Sequence, residues 1–104
     1  MSIHDNEASA NPVDLAAARL VELGNQLLEQ DPKADPWDIA DGLLAGAIHY
    51  WLYTRQPCED PMCEDCAPVS SAELRMQSLL EQVEQMAVSS DYYHSPNDLT
   101  IGRA

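Results

Sequence analysis

Three cysteines fall within the stretch QPCEDPMCEDCAP at positions 56–68, spaced Cys58-x4-Cys63-x2-Cys66. A Cys-x2-Cys pair lets two thiolates chelate one ion, and the four residues before it are enough to bring Cys58 to the same ion. The expected metal is zinc in a structural role, which calls for a fourth donor to complete a tetrahedron. The chain offers His49, His94 and carboxylates such as Asp60. His49 is preferred because it stands nearest the loop, nine residues before Cys58. Three thiolates also suit an iron–sulfur cluster, but the spacing is not that of a ferredoxin.

The competing chemistry is thiol–disulfide exchange at Cys63 and Cys66. Glu59, Asp60, Glu64 and Asp65 crowd the cysteines. Their field favours a bound cation and opposes a free thiolate, so redox work is the weaker reading. An odd, clustered cysteine count is unlike a secreted disulfide framework and points to a reducing, cytoplasmic setting. Elsewhere the chemical signal is thin. Asp38 and Asp41 are one helical turn apart, but His49 lies two or more turns further on. Phosphate loops, nucleophile elbows, His-Glu-x-x-His and EF-hand spacings are all missing, and a non-enzyme is expected.

The elements that must carry this loop are helical. Residues 35–53, DPWDIADGLLAGAIHYWLY, open with a capping aspartate, a proline and a second acid. Trp37, Ile39, Ala40, Leu43, Leu44, Ala47, Ile48, Tyr50 and Trp51 then fill about half of a helical circumference. Such a helix is expected to be central, burying Trp37, Leu44, Ala47, Ile48 and Trp51. Asn11-Pro12-Val13-Asp14 starts an earlier helix with the same device. Its apolar face is Val13, Ala16, Ala17, Leu20, Leu23, Gly24 and Leu27, with Leu15 off the stripe. A third begins at a Ser70/Glu73 capping box and carries Ala72, Met76, Leu79, Leu80, Val83, Met86 and Ala87 on one stripe.

The expected fold is therefore all-α: an antiparallel three-helix bundle, with a long Cys/Pro-containing connection between helices 2 and 3 and a C-terminal arm. The helices span about 12–30, 36–54 and 71–88 within a bundle covering 11–90, and the cysteine loop covers 55–70. Residues 1–10 read as a flexible N-terminus and 91–104 as an arm. Ser95-Pro96-Asn97-Asp98 in that arm starts about one further helical turn before Gly102.

The formal net charge is -13, from 18 acidic and 5 basic residues. Direct nucleic-acid or anionic-membrane binding lacks its positive footprint. No apolar run is long enough to span a bilayer, and no signal peptide is evident. What is left is contact surface. Gly42 and Gly46 leave room on the second helix for close packing, within the bundle or across an interface. Tyr92, Tyr93 and His94 put aromatic area into the arm. The leading expectation is a non-catalytic helical interaction protein: an adaptor, small subunit or regulator that binds a protein partner or forms a homodimer. The alternatives are a zinc-binding or thiol-redox protein centred on Cys58, Cys63 and Cys66, and an acidic mimic of nucleic acid.

Overall fold

The computed structural model describes residues 11–101, and the side chains of residues 11–98. The expected flexible segment 1–10 and the end of the arm from Gly102 lie outside the described residues. Among the described residues, four α-helices occur in order: α1 (Pro12–Gln30), α2 (Pro36–Thr54), α3 (Ala72–Ser89) and the short α4 (Pro96–Ile101). A 3-10 turn, Ala67–Val69, precedes α3, and no strand occurs among the described residues. The fold class is all-α, with a cysteine-rich loop between the second and third helices.

The helix starts follow from their caps. Asn11 keeps an extended backbone, and its Oδ1 accepts the Val13 N–H at 2.7 Å, with Pro12 beside it and Asp14 in the first turn. This satisfies an amide that no helical carbonyl can reach. Asp35 does the same for α2: its Oδ1 accepts the Trp37 N–H at 2.9 Å. Between these helices Asp31 has two jobs. Its N–H closes α1 onto the Leu27 carbonyl at 3.1 Å, and its Oδ1 accepts the Lys33 N–H at 3.2 Å.

The third helix starts one residue later than the capping box implies. Ser71, not Ser70, is its cap, with Oγ accepting the Leu74 N–H at 3.1 Å. The reason is local. The Ser70 hydroxyl donates to the Ala67 carbonyl at 2.9 Å and so belongs to the 3-10 turn. Glu73 is thereby moved out of the register that a capping box needs.

The chain divides into two compact units, one ending at Trp51 and one beginning at Leu52. In the first, α1 meets α2 at Gly24, which is buried. A Cβ at that position would stand 3.0 Å from Leu43 Cδ1, so the absence of a side chain is what permits this approach. Gly42 and Gly46, where close packing was expected within the bundle or across an interface, make no such approach inside this unit. Both are open, with nothing within 4 Å of a Cβ built there.

The expected burial of α2 is corrected at the same time. Trp37 is 80% exposed and Leu44 56% exposed, Ala47 is exposed, and Ile48 and Trp51 are only half-buried. Leu15, off the predicted stripe, is half-buried, whereas Val13 and Leu23 on the stripe are exposed. An apolar arc states how much a helix can bury; its neighbours decide how much it does bury.

In the second unit, Leu79 of α3 is the buried apolar residue among those described, at 8% exposure. The guanidinium of Arg75, one turn before it, donates to the Val69 carbonyl at 2.9 Å and ties the 3-10 turn to α3. Pro68 rests beside Leu74, Gln77, Ser78 and Glu81 along the same edge. Beyond α3, Asp98 Oδ2 accepts the Ser95 N–H at 3.1 Å to start α4, six residues long, near the length expected. Tyr92 and Tyr93 remain exposed, and the Tyr93 ring meets His94 edge-on at 4.9 Å.

Candidate metal centre

The connection after α2 is held by short-range hydrogen bonds. Gln56 Nε2 donates back to the Leu52 carbonyl at 3.0 Å, at the end of the helix. Asp60 then organises a turn: its Oδ1 accepts the Met62 N–H at 2.9 Å and its carbonyl accepts the Cys63 N–H at 3.1 Å. Its position ahead of Pro61 suits that role, since an aspartate bonded to an amide two residues on mimics a backbone turn. A second turn runs from Glu64 to Ala67 at 3.2 Å and leads into the 3-10 turn, where the Val69 N–H reaches the Cys66 carbonyl at 3.0 Å.

These turns gather all three thiols. The Sγ atoms of Cys58, Cys63 and Cys66 lie within 4.8 Å of one another, as ligands of one ion must. The three are thiols, Cys58 exposed and the other two half-buried. Backbone amides face the sulfurs as well. The Cys58 N–H donates to Cys66 Sγ at 3.3 Å, and Cys58 Sγ lies 3.8 Å from the Asp60 carbonyl. A set of three thiols excludes calcium and magnesium, which require oxygen, and suits a soft or borderline ion such as zinc.

Electrostatics differ among the three. The Cys63 thiol titrates below its ordinary value, first because the Cys66 amide N–H points at its sulfur, then through the thiols of Cys58 and Cys66. The Asp65 amide adds to this, and burial works against it. On Cys66 the largest single influence, the Cys58 amide, also lowers the pKa. The thiols of Cys58 and Cys63, burial and the charge at Cys58 together outweigh it and push Cys66 up. The sequence reading had the flanking carboxylates opposing thiolate formation throughout. It missed the amides of Cys58, Asp65 and Cys66, which act at hydrogen-bond range. No residue type marks these amides, and the Cys-x2-Cys spacing hints only at those of Asp65 and Cys66.

The remaining predicted residues stand apart from this convergence or outside its unit. His49 is an exposed residue of α2, on the first-unit side of the division. His94 is exposed and engaged with Tyr93. Within the second unit, among the described residues, no histidine or carboxylate joins the three-cysteine set. Gly42 and Gly46 are open surface on α2. Arg75, which anchors the far end of the loop, was missed; it is the one basic residue in α3, and nothing in its spacing singles it out.

No described helix is long and apolar enough to cross a membrane. Comparison with family models, characterised proteins and solved structures found no match, so no role is carried over from a relative.

Proposed function

We propose that this chain is a non-catalytic helical interaction protein, an adaptor, small subunit or regulator that docks on a protein partner. The observation that carries the reading is α2. It is the most apolar of the long helices among the described residues, yet none of its residues is fully buried, and Trp37 and Leu44 are more than half exposed. Tryptophan at a surface is a large amphipathic anchor of the kind that dominates interface energies. The open glycines at 42 and 46 would let another helix approach closely, at a helix-stability cost of about 0.8–1 kcal/mol each relative to alanine.

The charge favours one class of partner. With a net charge of -13, a second copy of the chain meets like charge, whereas a basic protein surface is steered toward it. Asp35, Asp38 and Asp41 flank Trp37 and would supply the acidic rim of the contact. The exposed Tyr92 and Tyr93 in the arm give a second aromatic contact. A cytoplasmic setting fits the free thiols.

The test compares the full chain with the double variant Trp37→Ala, Leu44→Ala, each used to capture proteins from a native extract at low and moderate salt. The expected result is a salt-sensitive basic partner held by the parent and lost from the variant, with helical circular dichroism the same in both. Equal capture by both chains would overturn the role of α2. Light scattering that shows a dimer lost in the variant would replace the basic partner by a second copy.

A further inference from the structure

The cysteine cluster carries a proposal independent of docking, resting on the chelating geometry described above. We propose that Cys58, Cys63 and Cys66 bind one Zn2+ through three thiolates and leave its fourth position exchangeable, open to an exogenous nitrogen or sulfur donor.

Three observations support this arrangement. The three sulfurs already lie within 4.8 Å of one another, so an ion needs little rearrangement to reach all of them. Within the same unit, among the described residues, the set contains no fourth histidine or carboxylate, although Glu59, Asp60, Glu64 and Asp65 are neighbours in sequence. Cys58 is also exposed, which leaves the metal a side from which a ligand can enter.

Closed structural zinc sites complete four protein ligands, whereas three protein ligands with an open position characterise sites that take up a water or a ligand. The chemistry is substitution alone. Three S–H groups lose their protons as three Zn–S bonds form, and the bound unit keeps about one negative charge. A water fills the fourth position. An entering imidazole or thiolate displaces that water, and nothing is oxidised or reduced. The amide donors on Cys63 Sγ and Cys66 Sγ orient the thiolates as outer-shell partners do in metal sites.

Co2+ in place of Zn2+ gives the test, because its visible bands report the donor set and coordination number. The full chain, reduced and loaded with Co2+, is titrated with imidazole and separately with 2-mercaptoethanol, alongside His49→Ala, His94→Ala and the double variant Cys63→Ser, Cys66→Ser. The expected result is one Co2+ per chain, displaced by Zn2+. Its bands shift saturably with either added ligand while the metal stays bound, and both histidine variants behave like the parent. Bands indifferent to imidazole and thiol would overturn the exchangeable position, and a changed spectrum in either histidine variant would name the residue that closes the site. Metal content the same in the cysteine double variant as in the parent would overturn the three-cysteine site itself. None of these outcomes bears on the docking role of α2, which is read by capture.

Discussion

Helix α2 and the cysteine loop respond to sequence reasoning in opposite ways. α2 has a wide apolar arc, a clear cap and a sharp start, and still Trp37 is exposed where burial was expected. The loop has no periodicity, three prolines and only a 3-10 turn, yet its three sulfurs come together as their spacing implied. The difference lies in range. Two cysteines separated by two residues are near one another in most compact turns, and closing so short a loop costs little entropy. Burying Trp37 requires a surface from far along the chain or from another molecule. Local spacing therefore fixes the loop, and composition alone cannot fix the surroundings of α2.

The largest expected effect tests the loop side. The Cys63→Ser, Cys66→Ser variant should lose metal retention by at least about a hundredfold, about 2.8 kcal/mol at about 1.4 kcal/mol per factor of ten. Limited proteolysis should then cut first within residues 57–68, while circular dichroism keeps most of the helix signal. Unchanged cleavage would mean that the hydrogen bonds from Gln56, Asp60 and Arg75 hold the loop without any help from the sulfurs.

Next comes Leu79→Ala, expected to cost about 2–4 kcal/mol because this side chain is buried among those described. Urea denaturation reads it. A loss below about 1 kcal/mol would place Leu79 with the exposed leucines, whose substitution is nearly neutral.

The glycines sharpen the comparison within one unit. Gly42→Ala should stabilise by about 0.8–1 kcal/mol, the helix-propensity gain with no neighbour in the way. Gly24→Ala should yield less or reverse sign, because its new methyl meets Leu43 Cδ1 at 3.0 Å. Matched melting-temperature shifts for the two would remove Gly24 as the point where α1 and α2 approach.

Thiol reactivity gives a smaller effect. In metal-free protein, Cys63 holds its thiolate to lower pH than an ordinary cysteine, and Cys66 needs higher pH. Alkylation at a pH below the usual thiol value should therefore label Cys63 ahead of Cys66, by a few-fold, with the preference shrinking as the pH rises past both. Peptide mapping after a brief iodoacetamide pulse measures the ratio, and a preference for Cys66 would contradict the amide geometry. Smallest of all is Trp37→Ala, which should change stability of the isolated chain by no more than about 0.5 kcal/mol. A large loss in the same urea assay would show this ring to be buried after all.

Much of the backbone was legible because it is local. Asn11 and Asp35 carry their own cap oxygens to amides two residues on, and both helix starts follow. The start of the third helix was misread by one residue, since two adjacent serines offer the same hydroxyl and only the 3-10 turn decides which is free. The convergence of the cysteines was legible; the amides that split the pKa values of Cys63 and Cys66 were not, because main-chain direction leaves no mark on residue identity. Gly24 was placed on the apolar stripe without a contact role, and the packing expected at Gly42 and Gly46, within the bundle or across an interface, does not occur inside the first unit. Helical period assigns a residue to a face and is silent on which turn of that face meets a neighbour.

Leu79 stands almost alone as a buried apolar side chain among the described residues, and this has a calorimetric consequence. The heat-capacity increment of unfolding comes from apolar surface newly wetted, at about 0.45 cal/mol/K per Å². The described part of the chain, with so little dry surface, has little to wet. Its stability curve should be shallow, its thermal transition broad, and cooling should neither strengthen nor weaken it much. Covering α2 with a partner would add that missing dry surface, and the complex should melt sharply where the free chain fades gradually.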